Sequence, residues 1–227
     1  MGGFVPFTAT DYPGKLAAVV FCQGCPWRCA YCHNPHLLPR RGGREWRWRD
    51  VAAFLRRRAG LLDAVVFSGG EPTLQPGLLD AAKDAKALGF AVGLHTAGVL
   101  PAKLEKLLPC LDWVGFDVKA PFEAYGTVTR VAGSGARALA SLRLLLASGA
   151  AHEVRTTVHP ALLSEADLLG LARSLAAMGV RHYVLQAFRP QGCADAALAR
   201  AGEGYRPAPA LLQAIEGLFE TFSVRGA

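Results

Sequence analysis

Short apolar segments alternate with longer segments of helical pattern along almost the whole of this 227-residue chain. The apolar segments are nearly continuous in hydrophobicity, which is typical of strands in a parallel sheet that helices cover. Strands are predicted at 17–21, 64–67, 91–94, 113–117, 153–158 and 182–186. Helices are predicted at 49–59, 78–88, 101–108, 135–148, 164–178 and 208–222. Because such units are joined by right-handed crossovers, the alternation predicts a doubly wound sheet or a barrel.

Six strand–helix units are two fewer than a closed eightfold barrel needs, so we expect an α/β fold with an open, partial (β/α)6 barrel of parallel strands. No repeat, low-complexity tract or Pro/Ser-rich linker divides the sequence, and residues 1–227 are expected to form a single domain. With 52% hydrophobic and 19% charged residues, the chain can bury a core. Its first residues lack the basic start and apolar stretch that a signal peptide would show, and no apolar run approaches the roughly 20 residues of a membrane helix. We therefore expect a cytoplasmic protein with no membrane partner.

The net charge of +7 is concentrated in one segment. Residues 40–58 contain eight arginines against Glu45 and Asp50, which leaves only +1 for the rest of the chain. Such a patch could dock an acidic protein or a nucleic acid, or it could be a solvated loop and helix in an arginine-rich chain. No groove with interleaved aromatic residues is visible, so nucleic acid is not the expected partner.

Four of the six cysteines lie within eleven residues, a distribution that favours a metal over a disulfide framework. As two Cys-x2-Cys pairs, Cys22, Cys25, Cys29 and Cys32 could bind zinc, although zinc ribbons usually separate their pairs by a dozen or more residues. Alternatively, three thiolates in a Cys-x3-Cys-x2-Cys loop could hold a [4Fe–4S] cluster and leave one iron open. Cys22 would then be a spare ligand or, more simply, a small core residue at the end of a strand.

Polar side chains follow each of the six predicted strands. In parallel α/β folds the ligand site lies at the carboxyl ends of the strands, so these side chains should meet at one rim. They are the cysteine loop, Ser68-Gly-Gly-Glu-Pro72, His95-Thr96, Asp117-Val-Lys119, the group Arg155, Thr157 and His159, and Gln186.

The cysteine motif, with Tyr31 before its last cysteine, resembles the signature of radical S-adenosylmethionine (SAM) enzymes. The chain is more specifically similar to the activating proteins of anaerobic ribonucleoside-triphosphate reductase, which belong to the glycyl-radical enzyme activating enzymes. This similarity runs from residue 4 to about residue 190. It is carried by Asp11-Tyr-Pro-Gly14, Phe21-Cys-Gln-Gly-Cys-Pro26, Tyr31-Cys-His-Asn-Pro35, Phe67-Ser-Gly-Gly-Glu-Pro72, Asp117-Val-Lys119 and Arg155-Thr-Thr-Val-His-Pro160.

The resemblance implies that Cys25, Cys29 and Cys32 hold a [4Fe–4S] cluster whose open iron binds SAM. One electron would then cleave SAM to methionine and a 5′-deoxyadenosyl radical, which would abstract hydrogen from a glycine of a partner enzyme. The implied partners are a glycyl-radical enzyme, whose loop could enter an open rim, and an electron donor such as flavodoxin or ferredoxin. The arginine segment would belong to the docking face. No catalytic residue is expected beyond the cluster and SAM.

The resemblance also implies a set of residues that bind SAM. Glycines without a Cβ would let the backbone approach the methionyl group, Lys119 would pair with the carboxylate, and Tyr31 would lie near adenine. The expected SAM contacts are Tyr31, His33, Gly69, Gly70, Glu71, Asp117, Lys119, Arg155, Thr157 and Gln186. The side chains of His33, His36 and His159 are expected to be structural rather than catalytic, and the SAM contact expected of His33 is one of its backbone with adenine.

The sequence departs from the family pattern after the third strand. Family members often have Asp-Thr-Asn-Gly there, whereas this chain has His95-Thr-Ala-Gly98, which puts a monovalent-cation site in doubt. Other functions remain open. They are activation of a pyruvate formate-lyase type enzyme, modification of a small molecule or RNA, and a non-catalytic zinc or electron-transfer module.

Overall fold

The computed structural model describes residues 1–42 and 46–226. The strands are β1 (Gly3–Thr8), β2 (Ala17–Cys22), β3 (Ala64–Gly69), β4 (Ala91–Thr96), β5 (Trp113–Asp117), β6 (His152–Val158), β7 (His182–Ala187) and β8 (Thr221–Arg225). The helices are α1 (Trp48–Arg56), α2 (Leu78–Ala87), α3 (Pro101–Leu107), α4 (Tyr125–Thr129), α5 (Ser134–Ser148), α6 (Glu165–Ala177), α7 (Ala196–Gly202) and α8 (Pro209–Glu216).

All eight strands form one sheet in chain order, from β1 to β8. Strands β2 to β8 run parallel, and β1 is antiparallel to β2. Within the described ranges no ladder joins β8 back to β1, so the sheet is a barrel left open on one side. The predicted partial barrel is confirmed, with the six predicted strands at its centre and one unpredicted strand at each edge.

The helix predicted at 208–222 is wrong in its last part. Helix α8 ends at Glu216, and β8 follows from Thr221, paired with His182 of β7. Residues 221–225 alternate between exposed and half-buried, which is the two-residue period of a strand. The ring of Phe222 lies 6.2 Å from that of Tyr183, so the strand is held against the core.

The core is divided by the sheet. On β2, Ala18 and Val20 face the helices and join the large cluster, whereas Ala17 and Val19 face the barrel interior. Trp113 is part of this interior cluster, which fills the end of the barrel where the parallel strands begin. The polar residues lie at the opposite end of the barrel, at the carboxyl ends of the parallel strands. None of the helices in the described ranges is long and apolar enough to cross a membrane.

Candidate active site

A cavity of about 1020 Å³ lies at the carboxyl ends of the parallel strands. Every residue predicted from the sequence to bind the cluster or SAM lines this cavity, although the residues come from the ends of four strands and from the cysteine loop. They are Cys25, Cys29, Tyr31, Cys32, His33, Gly69, Gly70, Glu71, Asp117, Lys119, Arg155, Thr157 and Gln186. The structure therefore brings together at one place residues that are up to 161 positions apart in the chain.

The cysteine loop is anchored to its surroundings by backbone hydrogen bonds. The Cys25 N–H donates to the Leu38 carbonyl oxygen (3.1 Å), and the Ala30 N–H donates to that of Val128 (3.0 Å). Within the loop, the Cys32 N–H donates to the Cys29 oxygen (3.1 Å). These bonds satisfy backbone groups that would otherwise be orphaned and fix where the three thiols lie.

The three cysteines are free and half-buried. Burial raises the pKa of Cys25 to about 12 and also raises that of Cys29, while the nearby Lys119 ammonium acts in the opposite direction on both. Burial likewise raises the pKa of Cys22 to about 12, but Cys22 is not among the residues that line the cavity. Without a metal the thiols of Cys22, Cys25 and Cys29 are protonated at neutral pH; metal coordination deprotonates thiols outright.

The donor set fits a cluster better than a single ion. Among the described residues, no three His, Cys, Asp or Glu side chains are arranged so that they could hold one metal ion. A zinc ion needs ligands that converge on one point. In a [4Fe–4S] cube each thiolate binds a different iron, so the cysteines must share a cavity but need not converge. Three cysteines on one cavity wall fit a cluster with one open iron.

The two glycines at the end of β3, Gly69 and Gly70, allow the chain there to approach the start of the cysteine loop closely. Gly69 has a φ of 113°, and a Cβ there would lie 2.4 Å from the Cys22 nitrogen. A Cβ on Gly70 would lie 2.4 Å from the Gly24 oxygen. Only glycine is compatible with this packing, which places the end of β3 against the cysteine loop.

The carboxylate of Glu71 joins the ends of two strands. It is buried, with 1% of its surface exposed, and burial raises its pKa against the effect of hydrogen bonds from Thr73 and Thr96. Oε1 accepts from the Thr73 hydroxyl (2.6 Å) and the Thr96 hydroxyl (2.8 Å), and Oε2 accepts from the Ala97 N–H (3.1 Å). Glu71 therefore ties the end of β3 to the end of β4.

Two cations surround the carboxylate of Asp117. Arg155 Nε lies 2.8 Å from Oδ1, and Lys119 Nζ lies 3.6 Å from Oδ2. Burial would raise the pKa of Asp117, but the charges of Arg155 and then Lys119 outweigh it, and the pKa lies below its ordinary value. For Lys119 burial alone would lower the pKa, yet Tyr31, Cys29 and Asp117 raise it well above its ordinary value. The three groups leave one net positive charge, which suits an anionic ligand.

His95 occupies the position where the family often has aspartate. Burial, and then the charge of Arg155, lower its pKa to about 4, so the imidazole is neutral at pH 7. Its Nε2 is 2.8 Å from the Asp11 carbonyl oxygen and therefore carries the proton, while Nδ1 is 3.3 Å from the Ser68 hydroxyl. A neutral imidazole therefore stands at position 95, where an aspartate would place a negative charge.

Two aromatic residues of the cysteine loop, Tyr31 and His33, also line the cavity. Lys119 Nζ is 5.7 Å from the centre of the Tyr31 ring, and His33 stacks on Phe188 with 5.5 Å between ring centres. His159, by contrast, is fully buried: its Nδ1 accepts from the Ala161 N–H (3.2 Å) and its Nε2 lies 2.9 Å from the Leu198 oxygen. Both ring nitrogens of His159 are satisfied, as expected for a structural residue.

Several lining residues were not predicted. Arg225 lines the cavity from β8 and makes two hydrogen bonds to the buried carboxylate of Glu153 (2.6 and 2.7 Å). Thr10 and Asp11 reach the cavity from the segment after β1. The alternating pattern of residues 221–225 could have predicted a strand that carries Arg225 to the cavity, but the sequence was interpreted as a helix up to residue 222.

Comparison with known proteins decides the family. The sequence profile of the Radical SAM superfamily matches residues 19–175, which is more than half of the chain. The chain belongs to the radical SAM superfamily. Members of this superfamily are oxidoreductases that use a [4Fe–4S] cluster and SAM, so the resemblance found in the sequence is confirmed.

Sequence relatives narrow this placement to the glycyl-radical enzyme activating enzymes. The chain is 33% identical over 205 residues to a protein of Methanocaldococcus jannaschii whose name assigns it provisionally to that group; the match covers 86% of this chain and 82% of the relative. It is also 40% identical over 114 residues to the pyruvate formate-lyase-activating enzyme of Clostridium pasteurianum, covering 48% of each chain.

Solved structures share the fold. Streptococcus suis SuiB bound to S-adenosylmethionine aligns with 92% of this chain at a TM-score of 0.68 and 12% identity. A domain of the pyruvate-formate lyase-activating enzyme from Bacteroides vulgatus aligns with 72% of it at a TM-score of 0.55 and 16% identity. The chain spans about half of SuiB and 99% of the B. vulgatus domain.

Proposed function

We propose that this radical SAM protein cleaves SAM reductively and uses the resulting 5′-deoxyadenosyl radical to install a glycyl radical on a partner enzyme. The proposed partner is an anaerobic ribonucleoside-triphosphate reductase. The observation that carries the proposal is the single cavity, because three cysteines and the cationic group of Lys119 and Arg155 line the same space.

In this proposal each group of residues has a task. Cys25, Cys29 and Cys32 would hold the cluster, which supplies the electron that breaks the sulfonium C–S bond. Lys119 and Arg155 would bind the carboxylate of SAM, because the charges around Asp117 sum to a net positive one. The remaining proposed SAM contacts, including the backbone at Gly69 and Gly70, would orient the cofactor in the cavity.

The open side of the barrel supports a protein substrate. Arg225 and Gly226 line the cavity at the end of β8, the last strand of the open sheet, so the cavity extends to that edge of the barrel. A polypeptide loop that carries the target glycine could enter there without closure of a lid. Small-molecule or RNA modification has no comparable support among the described residues.

Activation of a pyruvate formate-lyase type enzyme is the second candidate function. It is favoured by the 40% identity to the C. pasteurianum enzyme, although that match covers less than half of either chain. Both candidates share the same chemistry and differ only in the partner.

The partner can be tested directly. Anaerobically reconstituted protein, SAM and a chemical reductant would be incubated with each candidate partner, and the glycyl radical would be recorded by electron paramagnetic resonance. We expect a radical on the reductase, none on pyruvate formate-lyase, and none with the Cys29→Ala variant. A radical on pyruvate formate-lyase alone would overturn the choice of partner, and a radical on neither would contradict activation of both.

A further inference from the structure

The arginine-rich segment does not form one surface. Arg44 and Glu45 lie outside the described residues, and the other seven arginines are exposed. Helix α1 runs from the end of the barrel that carries the cavity to the opposite end, a length of about 13 Å for nine residues. Arg40 and Arg41 therefore lie at the cavity end, and residues 56–58 lie at the far end.

Arg40 and Arg41 are attached to the cysteine loop. The segment that precedes them is held by a hydrogen bond from the Gly24 N–H to the Leu37 oxygen (2.7 Å) and by one from the Gln23 side chain to the Pro39 oxygen (2.7 Å). A Cβ on Gly24 would lie 3.5 Å from the Arg40 Cα. Arg40 is thus a backbone neighbour of the residue that precedes Cys25.

A third exposed arginine lies within the cysteine loop itself. Arg28 donates from Nη1 to the carbonyl oxygen of Cys25, which holds its guanidinium beside the loop. Within residues 1–42 and 46–226, Arg28, Arg40 and Arg41 take part in no ion pair. Unpaired exposed charges of one sign act over the longest range and steer an oppositely charged partner to their position.

We propose that Arg28, Arg40 and Arg41 form the docking surface for an acidic one-electron donor protein. The inference rests on the proposed function, in which an electron must enter through the cluster. A donor has to approach the cluster closely, and these three exposed cations lie on the cluster loop or on the segment that is hydrogen-bonded to it. In the proposed function the protein substrate must instead reach the cavity interior, which extends to the β8 edge of the open barrel.

Charge reversal of matched arginine pairs tests the surface. The Arg40→Glu/Arg41→Glu variant changes the cavity end, and Arg56→Glu/Arg57→Glu makes the same change of charge at the far end of α1. Reconstituted proteins would be mixed anaerobically with a reduced acidic flavodoxin, and the rate of cluster reduction would be followed by absorbance at low and high salt. SAM cleavage driven by a chemical reductant would be measured in parallel.

We expect the cavity-end variant to be reduced by flavodoxin at least tenfold more slowly at low salt, with a smaller salt dependence, while the far-end variant stays within twofold of the parent. Equal rates for the two variants would overturn the docking surface. If flavodoxin reduced the Arg40→Glu/Arg41→Glu variant at the parent rate but the variant no longer formed the glycyl radical, the donor-docking surface would also be overturned. The arginines would then dock the protein substrate. Failure of the parent protein to cleave SAM with the chemical reductant would overturn the proposed function instead.

Discussion

The guanidinium of Arg155 lies in the space that a side chain at position 115 would occupy. A Cβ built on Gly115 would be 2.6 Å from Arg155 Nη1, and Arg155 Nη2 donates to the Gly115 carbonyl oxygen (3.3 Å). Arg155 Nε also donates to the Asp117 carboxylate, so hydrogen bonds hold the guanidinium on two sides. Only 6% of the surface of Arg155 is exposed. Gly115 thus positions the cation that we propose for the SAM carboxylate.

Replacing Gly115 with alanine should displace Arg155. Because the added methyl would lie well inside contact distance of the guanidinium, we expect SAM to bind about tenfold more weakly, equivalent to about 1.4 kcal/mol. SAM affinity of the reconstituted protein can be measured by equilibrium dialysis. The control is Gly170→Ala, where a Cβ would meet no atom within 4 Å. Unchanged affinity in Gly115→Ala would show that the position of Arg155 does not matter for binding.

The cluster ligands can be separated from Cys22 by iron content. We expect about four irons per chain in the reconstituted parent protein and in Cys22→Ala, because Cys22 lies outside the cavity lining. Cys25→Ala, Cys29→Ala and Cys32→Ala should each lose most of the iron. If Cys22→Ala lost as much iron as these three variants, all four cysteines would form one closed site.

Glu71→Gln should destabilise the fold. Each carboxylate oxygen accepts a backbone N–H, from Thr73 and from Ala97, and an amide nitrogen cannot accept either bond. We expect the free energy of unfolding of the apoprotein at pH 7, measured with urea, to fall by about 2 kcal/mol. The exposed Glu105→Gln serves as the control and should change it by less than about 0.5 kcal/mol. Equal effects of the two substitutions would mean that Glu71 does not join the strands.

The neutral state of His95 predicts a dependence of stability on pH. Its pKa is lowered from 6.5 to about 4 in the fold, so the stabilisation is complete above pH 6.5 and is lost as the pH falls towards 4. Between pH 7 and pH 4.5 we expect the free energy of unfolding of the parent apoprotein to fall by about 2 kcal/mol more than that of the His95→Gln variant. Urea unfolding under reducing conditions measures both curves, and parallel curves would contradict a lowered pKa.

The central strands were predictable because they are buried on both faces. Val65 and Val92, for example, are fully buried and lie in short continuous apolar runs that are followed by glycine or polar residues, which is typical of strands covered on both faces. The edge strands β1 and β8 were not predicted, since half of each is exposed and only a short alternation distinguishes them from loop or helix.

The site was predictable where a local motif carries it. The cysteine loop is recognisable from its spacing, and the Asp117-Val-Lys119 segment from its resemblance to the family pattern. The role of Gly115 was not, because it depends on a side chain 40 positions later that crosses from the neighbouring strand. The division of the arginine segment likewise follows from the direction of α1, which sequence spacing does not show.

The most direct measurement is an electron paramagnetic resonance spectrum of the anaerobically reduced protein, recorded with and without SAM, together with an assay for 5′-deoxyadenosine. A [4Fe–4S]⁺ signal that shifts on addition of SAM, with 5′-deoxyadenosine formed, is the predicted result. An iron signal that is indifferent to SAM, or bound zinc in place of iron, would contradict reductive SAM cleavage by this chain.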